Sequence, residues 1–483
     1  MSLVRNSLYV SFIENYTITF FQFVSSVIIA RILTPAEIGI FSIAVLMSGL
    51  AGTVRDFGVT QYLIQEKELT QEKIRAAMAL SIVVGWCLAA LLFLLSGPVA
   101  RFYREPGVSS VVVVLACTFV LVPFGSVVLA MLRRHLDYWA IFRVRVGSAL
   151  VTATASVVLA MQGFGYMSLA WSALGGVVAT VLLCGFHRPP GLPRMPSFAR
   201  IPQVLSFSAP VVATGVIGEL SRAIPELTVG KAQSMEAVGL LGRALGLRAM
   251  LDKLLMSALW SVVLPYFSKL EREQGDLKAS YSRVQAYVTG IAWPLMLFLG
   301  AAASPIIAVL YGPQWGASVP LVRVICVAGV LASTLPFFSA VLLARGRPDA
   351  TLKMQFLCTP FRLVCVIVAA PFGLIAVCLA MVASSAFDLV VSYGFLRRVT
   401  QLTWRDLIDG SRRSLAVMVV SGIGPVGIGL MADRTALTPF FALLIASLTA
   451  GLGWLAGLYL FKHPVRNEIA VIGRRLRGNR RRK

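Results

Sequence analysis

The octapeptide VPFGSVVL at 122–129 returns as LPFFSAVL at 335–342, each inside a long apolar run. Pro123, Phe124, Ser126, Val128 and Leu129 match Pro336, Phe337, Ser339, Val341 and Leu342. Upstream, ARILTPAEIGIFSIA (30–44) aligns without a gap on GKAQSMEAVGLLGRA (230–244), keeping Arg31/Lys231, Gly39/Gly239 and Ala44/Ala244. Two similar apolar halves in one chain are the pattern of a transporter whose substrate site lies near the repeat interface. Chance similarity between apolar helices is the competing explanation.

Composition places the chain in a membrane. Mean hydropathy is +0.82, and only 13% of the 483 residues are charged. A soluble domain of this length is not built so. Apolar runs of roughly 20 residues, enough to cross about 30 Å of hydrocarbon as helices, recur throughout. Short alternating strands are absent, which excludes a β-barrel reading. Fourteen spans are expected, at 9–30, 37–53, 75–97, 110–132, 145–163, 166–186, 205–230, 237–264, 285–310, 317–343, 354–372, 373–395, 412–432 and 438–461. Lys and Arg gather in alternate connections, including Arg143 and Arg145, whereas the outer connections hold Arg31, Arg101, Arg104, Lys231 and Arg434. By the positive-inside rule both termini are cytoplasmic. The net charge of +23 is then mostly topology; the tail GRRLRGNRRRK reads as an inner anchor rather than a nucleic-acid arm.

The expected fold is all-α integral membrane, with about 14 transmembrane helices. Two six-helix lobes (1–186 and 205–396) surround a central cavity, and a helix pair (397–461) and a basic cytoplasmic tail (462–483) follow. The basic, Pro-rich segment 187–204 links the lobes. Six helices per repeat make the two copies parallel. Spans one and seven, two and eight, and four and ten are equivalent.

Chemistry is sought where charge enters a span, because each such residue costs roughly 2.5–3.5 kcal/mol at a helix centre on insertion scales. Glu219, Arg222 and Glu226 fall on one face of span seven. Span eight carries Arg243, Arg248, Asp252 and Lys253, with Arg248 and Asp252 at i, i+4. One reading is a cavity wall in which Arg222, Arg243 and Arg248 hold an anionic headgroup, while Glu219, Glu226 or Asp252 binds a coupling ion. The other is a self-neutralising inter-helix network. Span one has a polar stripe that includes Asn15, Thr19 and Gln22, with Glu14 beside it. This reads either as a second cavity wall, with Glu14 a further ion-coupling candidate, or as helix-to-helix hydrogen bonding. Arg362 and Asp388 lie at equal depth on successive antiparallel spans, so a structural ion pair is expected. The seven cysteines form no ligand-spaced cluster and the three histidines sit at cytoplasmic ends; no metal site is expected. No phosphate-binding GxxxxGK[ST] and no catalytic constellation is found, so no cofactor and no enzyme activity are expected.

Five stretches carry a family resemblance. ARILTPAEIGIFSIA with DFGVTQYLI (56–64) resembles the N-terminal signature of the Wzx-type polysaccharide repeat-unit flippases, members of the multidrug/oligosaccharidyl-lipid/polysaccharide exporter superfamily. GLLGRALGL (239–247) is similar to the segment after their seventh helix. VLYGPQWGASVPLVRV (309–324), followed by LLARGRPD (342–349), resembles their G-x-x-W motif and its following turn. The resemblance implies a two-lobed bundle that moves undecaprenyl-pyrophosphate-linked oligosaccharides to the outer leaflet of the bacterial inner membrane by alternating access. The implied partners are that lipid-linked oligosaccharide, membrane lipids, and a polysaccharide polymerase with its export machinery, with no nucleic acid. Alternatives are an ion-coupled small-molecule or multidrug exporter and a lipid II flippase, then a membrane polymerase or ligase. Arginines suit an anionic headgroup better than a cationic drug, and the short outer connections disfavour an enzyme.

Overall fold

The computed structural model describes residues 2–193, 195–197, 201–431 and 437–469. The basic tail beyond 469 and parts of the 187–204 linker lie outside the described residues. Among the described residues sixteen α-helices are formed: α1 (Ser2–Ile32), α2 (Pro35–Gln65), α3 (Gln71–Tyr103), α4 (Pro106–Arg134), α5 (Tyr138–Met161), α6 (Met167–Phe186), α7 (Ile201–Ala232), α8 (Met235–Arg272), α9 (Leu277–Ala301), α10 (Ala303–Leu310), α11 (Val319–Ala332), α12 (Phe338–Ala344), α13 (Pro348–Ala369), α14 (Leu374–Thr400), α15 (Trp404–Met431) and α16 (Pro439–Leu460). No strand occurs among the described residues. Twelve helices there are long and apolar enough to cross a membrane. The twelve do not include α7 and α8, the two charge-bearing helices among the fourteen expected spans.

Two expected spans are interrupted. The stretch 285–310 breaks at Ala302 into α9 and α10, and 317–343 breaks at 333–337 into α11 and α12. The second break falls on the repeated octapeptide. In the first copy α4 runs unbroken through Pro123. In the second, Phe337 takes a left-handed φ of 55° and helix resumes only at Phe338. The difference lies just upstream, where Val120 and Leu121 of the first copy are replaced by Ser333 and Thr334. The Ser333 hydroxyl donates to the Gly329 carbonyl at 2.9 Å, and that of Thr334 to the Val330 carbonyl at 2.9 Å. Such back-bonding competes with the helical ladder, and Pro336 already removes one of its donors. An indole supports each copy: Trp86 Nε1 donates to the Val120 carbonyl at 3.3 Å and Trp293 Nε1 to the Val330 carbonyl at 3.2 Å.

The upstream repeat is also visible in the backbone. Thr34 caps α2, accepting from the Glu37 N–H at 3.3 Å, while Glu37 reaches back to the Thr34 N–H at 2.9 Å. At the equivalent place Ser234 caps α8, accepting from the Ala237 N–H at 3.1 Å. These hydroxyls satisfy donors that a helix start leaves unpaired. The two helix starts touch reciprocally. A methyl group on Gly39 would overlap the Met235 carbonyl oxygen, and one on Gly239 would overlap the Pro35 carbonyl oxygen. Only glycine allows such backbone approach.

Packing divides the chain into two compact units, Met1–Gly239 and Leu240–Lys483. In the first, α3 and α4, α5 and α6, and α1 and α5 pack pairwise, and α7 lies along α2. Gly230 makes that last contact close, since a side chain there would meet Ile43 and Tyr103. The packing boundary therefore falls after the start of α8, whereas the sequence expectation set it in the linker. Arg134, expected to mark the inner side, also closes α2 by donating to the carbonyls of Leu63 at 2.8 Å and Glu66 at 2.7 Å, groups a helix end leaves free.

In the second unit α15 packs on α9 and α16. Thr449, Gly453 and Gly457, spaced by four, lie against Gly424, Val420 and Val417 of α15, a small-residue seam. Behind it, His463 is fully buried. Its Nδ1 accepts from the Val465 N–H at 3.3 Å, so Nε2 carries the proton toward the Ser414 hydroxyl 3.1 Å away. Ser414 meets Thr289 at 2.8 Å, which donates to the Gln285 carbonyl at 2.8 Å. Burial, then the nearby Arg413 charge, pushes the His463 pKa down to about 4.

Two expectations follow. Gly39→Ala and Gly239→Ala each force the α2 and α8 starts apart and cost about 1–3 kcal/mol, whereas Gly218→Ala, which meets open space, is neutral or stabilising. Thermal melting of the purified variants checks this, and an unchanged melting point for Gly39→Ala refutes the contact. For His463 the unfolded chain binds a proton below its ordinary pKa of 6.5 while the folded chain resists it down to about 4. Stability is therefore complete above 6.5 and falls as the pH drops through that window, by up to about 1.4 kcal/mol per unit. His463→Gln flattens the loss of melting temperature between pH 7 and 5; equal slopes in both proteins contradict the neutral-histidine network.

Candidate functional site

In the first unit the charged stripe of α7 is partly brought together. Arg222 forms an ion pair with Glu219, and the Arg222 side chain is 71% exposed. It stands ten residues from the end of α7, about 15 Å along the helix at 1.5 Å per residue. An exposed guanidinium this far inside a long helix calls for water or a polar ligand around it, because hydrocarbon would exact an insertion penalty. The neighbouring α2 makes room for the pair: Gly49 faces the Glu219 carboxylate. Glu226, one turn closer to the helix end, is half-buried.

The stripe of α1 is split. Asn15 and Gln22 are exposed and Thr19 is half-buried. Glu14 is 2% exposed and accepts from Arg145 Nη1 on α5 at 2.5 Å. The carboxylate thus neutralises Arg145, a partner the sequence reading did not assign. Position along the spans was the available signal. Both residues sit near the N-terminal ends of their expected spans, 9–30 and 145–163, and no base stands three or four places from Glu14 on its own helix.

In the second unit the arginines of α8 serve different purposes. Arg243 lies 4.8 Å from the ring centroid of Tyr311 and 5.0 Å from that of Trp315. Trp315 is fully buried in a 3-10 turn, Pro313–Ser318, entered through Gly312 at φ 96°. Its companion Ser318 donates to the Leu240 carbonyl at 3.0 Å. The G-x-x-W stretch is thus a plug held on α8 by an aromatic–guanidinium stack, an interaction of about 2 kcal/mol or more when desolvated. Arg243 is placed to hold this turn rather than to line an open wall.

Arg248 is placed differently. Its Nε lies 3.3 Å from the Asp252 carboxylate, confirming the i, i+4 pair, and its guanidinium lies against Gly329 of α11. Gly329 is four residues before the break at Ser333. An arginine beside an interrupted helix is an arrangement suited to an anionic group, since unwound backbone is tolerated at membrane depth only where protein or water covers it. Elsewhere in this unit Arg362 and Asp388 join α13 to α14 as an ion pair, as their equal depth implied. No group of three or more potential metal ligands occurs among the described residues.

Residues 28–320 match the polysaccharide biosynthesis protein family. The chain is 24% identical over 379 residues to the lipopolysaccharide biosynthesis protein WzxC of Escherichia coli (strain K12), covering 77% of this chain and 76% of that one. It is 23% identical over 350 residues to the teichuronic acid biosynthesis protein TuaB of Bacillus subtilis (strain 168), covering 70% of each. It is 22% identical over 331 residues to the succinoglycan biosynthesis transport protein ExoT of Rhizobium meliloti (strain 1021), covering 66% of each. In fold it is similar to the lipid II flippase MurJ in an inward closed conformation, with a TM-score of 0.76 at 13% identity over 96% of this chain and 100% of that one. An inward-facing multidrug transporter of the MOP superfamily gives a TM-score of 0.64 at 14% identity, covering 80% of this chain and 94% of that one. The chain belongs to the polysaccharide biosynthesis protein family, and its all-helical fold is similar to those of these two transporters.

Proposed function

We propose that the protein flips undecaprenyl-pyrophosphate-linked oligosaccharide repeat units from the cytoplasmic to the outer leaflet of the bacterial inner membrane, for O-antigen, capsule or exopolysaccharide synthesis. The observation that carries this is the Arg222 guanidinium, exposed on α7 beside the Glu219 carboxylate. A pyrophosphate cannot cross hydrocarbon unaided, and charge-assisted hydrogen bonds to a guanidinium replace its lost hydration. Arg248, set against the broken α11, supplies a second anchor of the same chemistry. Asn15, Thr19 and Gln22 offer amides and a hydroxyl to sugar. Relatives named for lipopolysaccharide, teichuronic acid and succinoglycan support a polysaccharide substrate over a cationic drug. The match to the polysaccharide biosynthesis family over residues 28–320 likewise favours a repeat unit over lipid II.

In this reading the halves 1–186 and 205–396 act as a parallel repeat and both termini are cytoplasmic. Alternating access exposes the arginines first to one leaflet and then to the other. Glu226 and Asp252 are the carboxylates proposed to bind a coupling proton or Na⁺, while Glu14 and Arg243 hold structure. The protein acts as a transporter without catalysis, handing its substrate to a polymerase.

A strain lacking the protein accumulates lipid-linked repeat units on the cytoplasmic face. Normal polymer export in a clean deletion, with no paralogue to compensate, ends this reading. Arg222→Ala and Arg248→Ala each remove charge-assisted bonds of about 1.5–3 kcal/mol, lowering transport roughly 10- to 100-fold. The measure is export in the complemented deletion strain, with membrane insertion verified by immunoblot. Wild-type export by the double variant excludes these arginines from the substrate path.

A further inference from the structure

The turn between α3 and α4 and the turn between α7 and α8 enclose a cavity of about 610 Å³, within the range of about 300–1,000 Å³ typical of ligand pockets. It lies in the first unit, at the ends of these helices opposite the Arg-rich connections, and Ala36 at the start of α2 adds to its lining. Its walls are polar and nearly neutral in sum: Arg104 and Lys231 stand against Glu105 and Glu236, with Gln233 between.

Two of these charges are committed to the fold. The Lys231 ammonium donates to the Phe102 carbonyl at 2.7 Å and lies 4.2 Å from the Phe102 ring centroid. The Glu105 carboxylate accepts from the Gly107 N–H at 3.3 Å at the start of α4. Arg104 and Glu236 are exposed, and no described side chain pairs with either. The remaining chemistry is one donor fork, one carboxylate and the ring of Phe102, which is 52% exposed. Donors and acceptors without net charge, beside an aromatic surface, suit a neutral polyhydroxylated ligand: hydroxyls both donate and accept, and the apolar face of a pyranose covers the ring. The location also calls for a function, since the positive-inside bias works against arginine and lysine at outer turns.

We infer that this cavity is a carbohydrate site on the outer face, which receives a neutral sugar of the oligosaccharide as it emerges. Its placement on the outer side and its substrate class rest on the flippase reading above. The glycine crossing of α2 and α8 starts at its edge, since Ala36 and Met235 line it, so the sugar meets this cavity where the helix starts close against each other.

The test is saturation-transfer NMR on the full-length protein in lipid nanodiscs, with glucose, galactose, N-acetylglucosamine and lactose as probes and inorganic pyrophosphate as a separate arm. At least one neutral saccharide gives transfer, and the signal falls several-fold in Arg104→Asn, Glu236→Gln and Phe102→Leu. Asn keeps the left-handed backbone of residue 104, and unchanged melting temperatures certify the variants as folded. No transfer from any saccharide, transfer that persists in all three variants, or a signal from pyrophosphate alone overturns the inference. Export in the deletion strain is scored in parallel. If export requires the protein while no saccharide binds, only the outer site fails; if export proceeds without the protein, the flippase reading fails.

Discussion

A charge among apolar helices must be neutralised by a partner or wetted, and both outcomes occur in this chain. Glu14 with Arg145 and Arg362 with Asp388 take the first course, each pair tying together two helices of one unit. Arg243 takes a related one, covering its charge with the faces of Tyr311 and Trp315. Arg222 takes the second. Its partner Glu219 neutralises it but does not cover it, and an exposed ion pair is weak and readily exchanged for a stronger anionic ligand.

Glycine contacts set where helices can meet closely. Gly39 and Gly239 occupy equivalent positions of the repeat, and each packs on the backbone opposite the other: Met235 and Pro35 are themselves equivalent. A reciprocal contact of this kind is what two copies of one motif make about a local two-fold axis. It also explains why packing carries α7 and the first turn of α8 into the first unit, although the Pro-rich linker divides the repeats in sequence.

The existence of most helices was legible from apolar length alone, and the pairings of Arg248 with Asp252 and of Arg362 with Asp388 from helix register and position along the spans. What was not legible came from other causes. Ser333 and Thr334 look unremarkable in an apolar run, yet their hydroxyls turn a proline that α4 tolerates into a break. The role of Glu14 needed a partner 131 positions away. Counting Arg145 only as a topological charge hid that pair. Arg243 was legible as a costly charge but not as a stacked one, because the stack depends on the turn that Gly312 starts. The fold likeness itself emerged at 13% identity, which is expected when selection acts on apolar length and small-residue contacts rather than on catalytic groups.

The repeat is thus kept at the helix starts and altered at the octapeptide. The first copy of the octapeptide stays helical and presents no charge. The second is interrupted four residues after Gly329, and Arg248 lies against that glycine. A helix interruption leaves carbonyls and amides outside the ladder, and a guanidinium next to it is held by packing rather than by a full set of hydrogen bonds. A duplicated scaffold can change conformation by moving its equivalent helices together, but it cannot bind one asymmetric substrate with two identical surfaces. The copies diverge at Ser333 and Thr334 while their caps at Thr34 and Ser234 agree, so the asymmetry of the chain sits at the helix break and its symmetry at the helix starts.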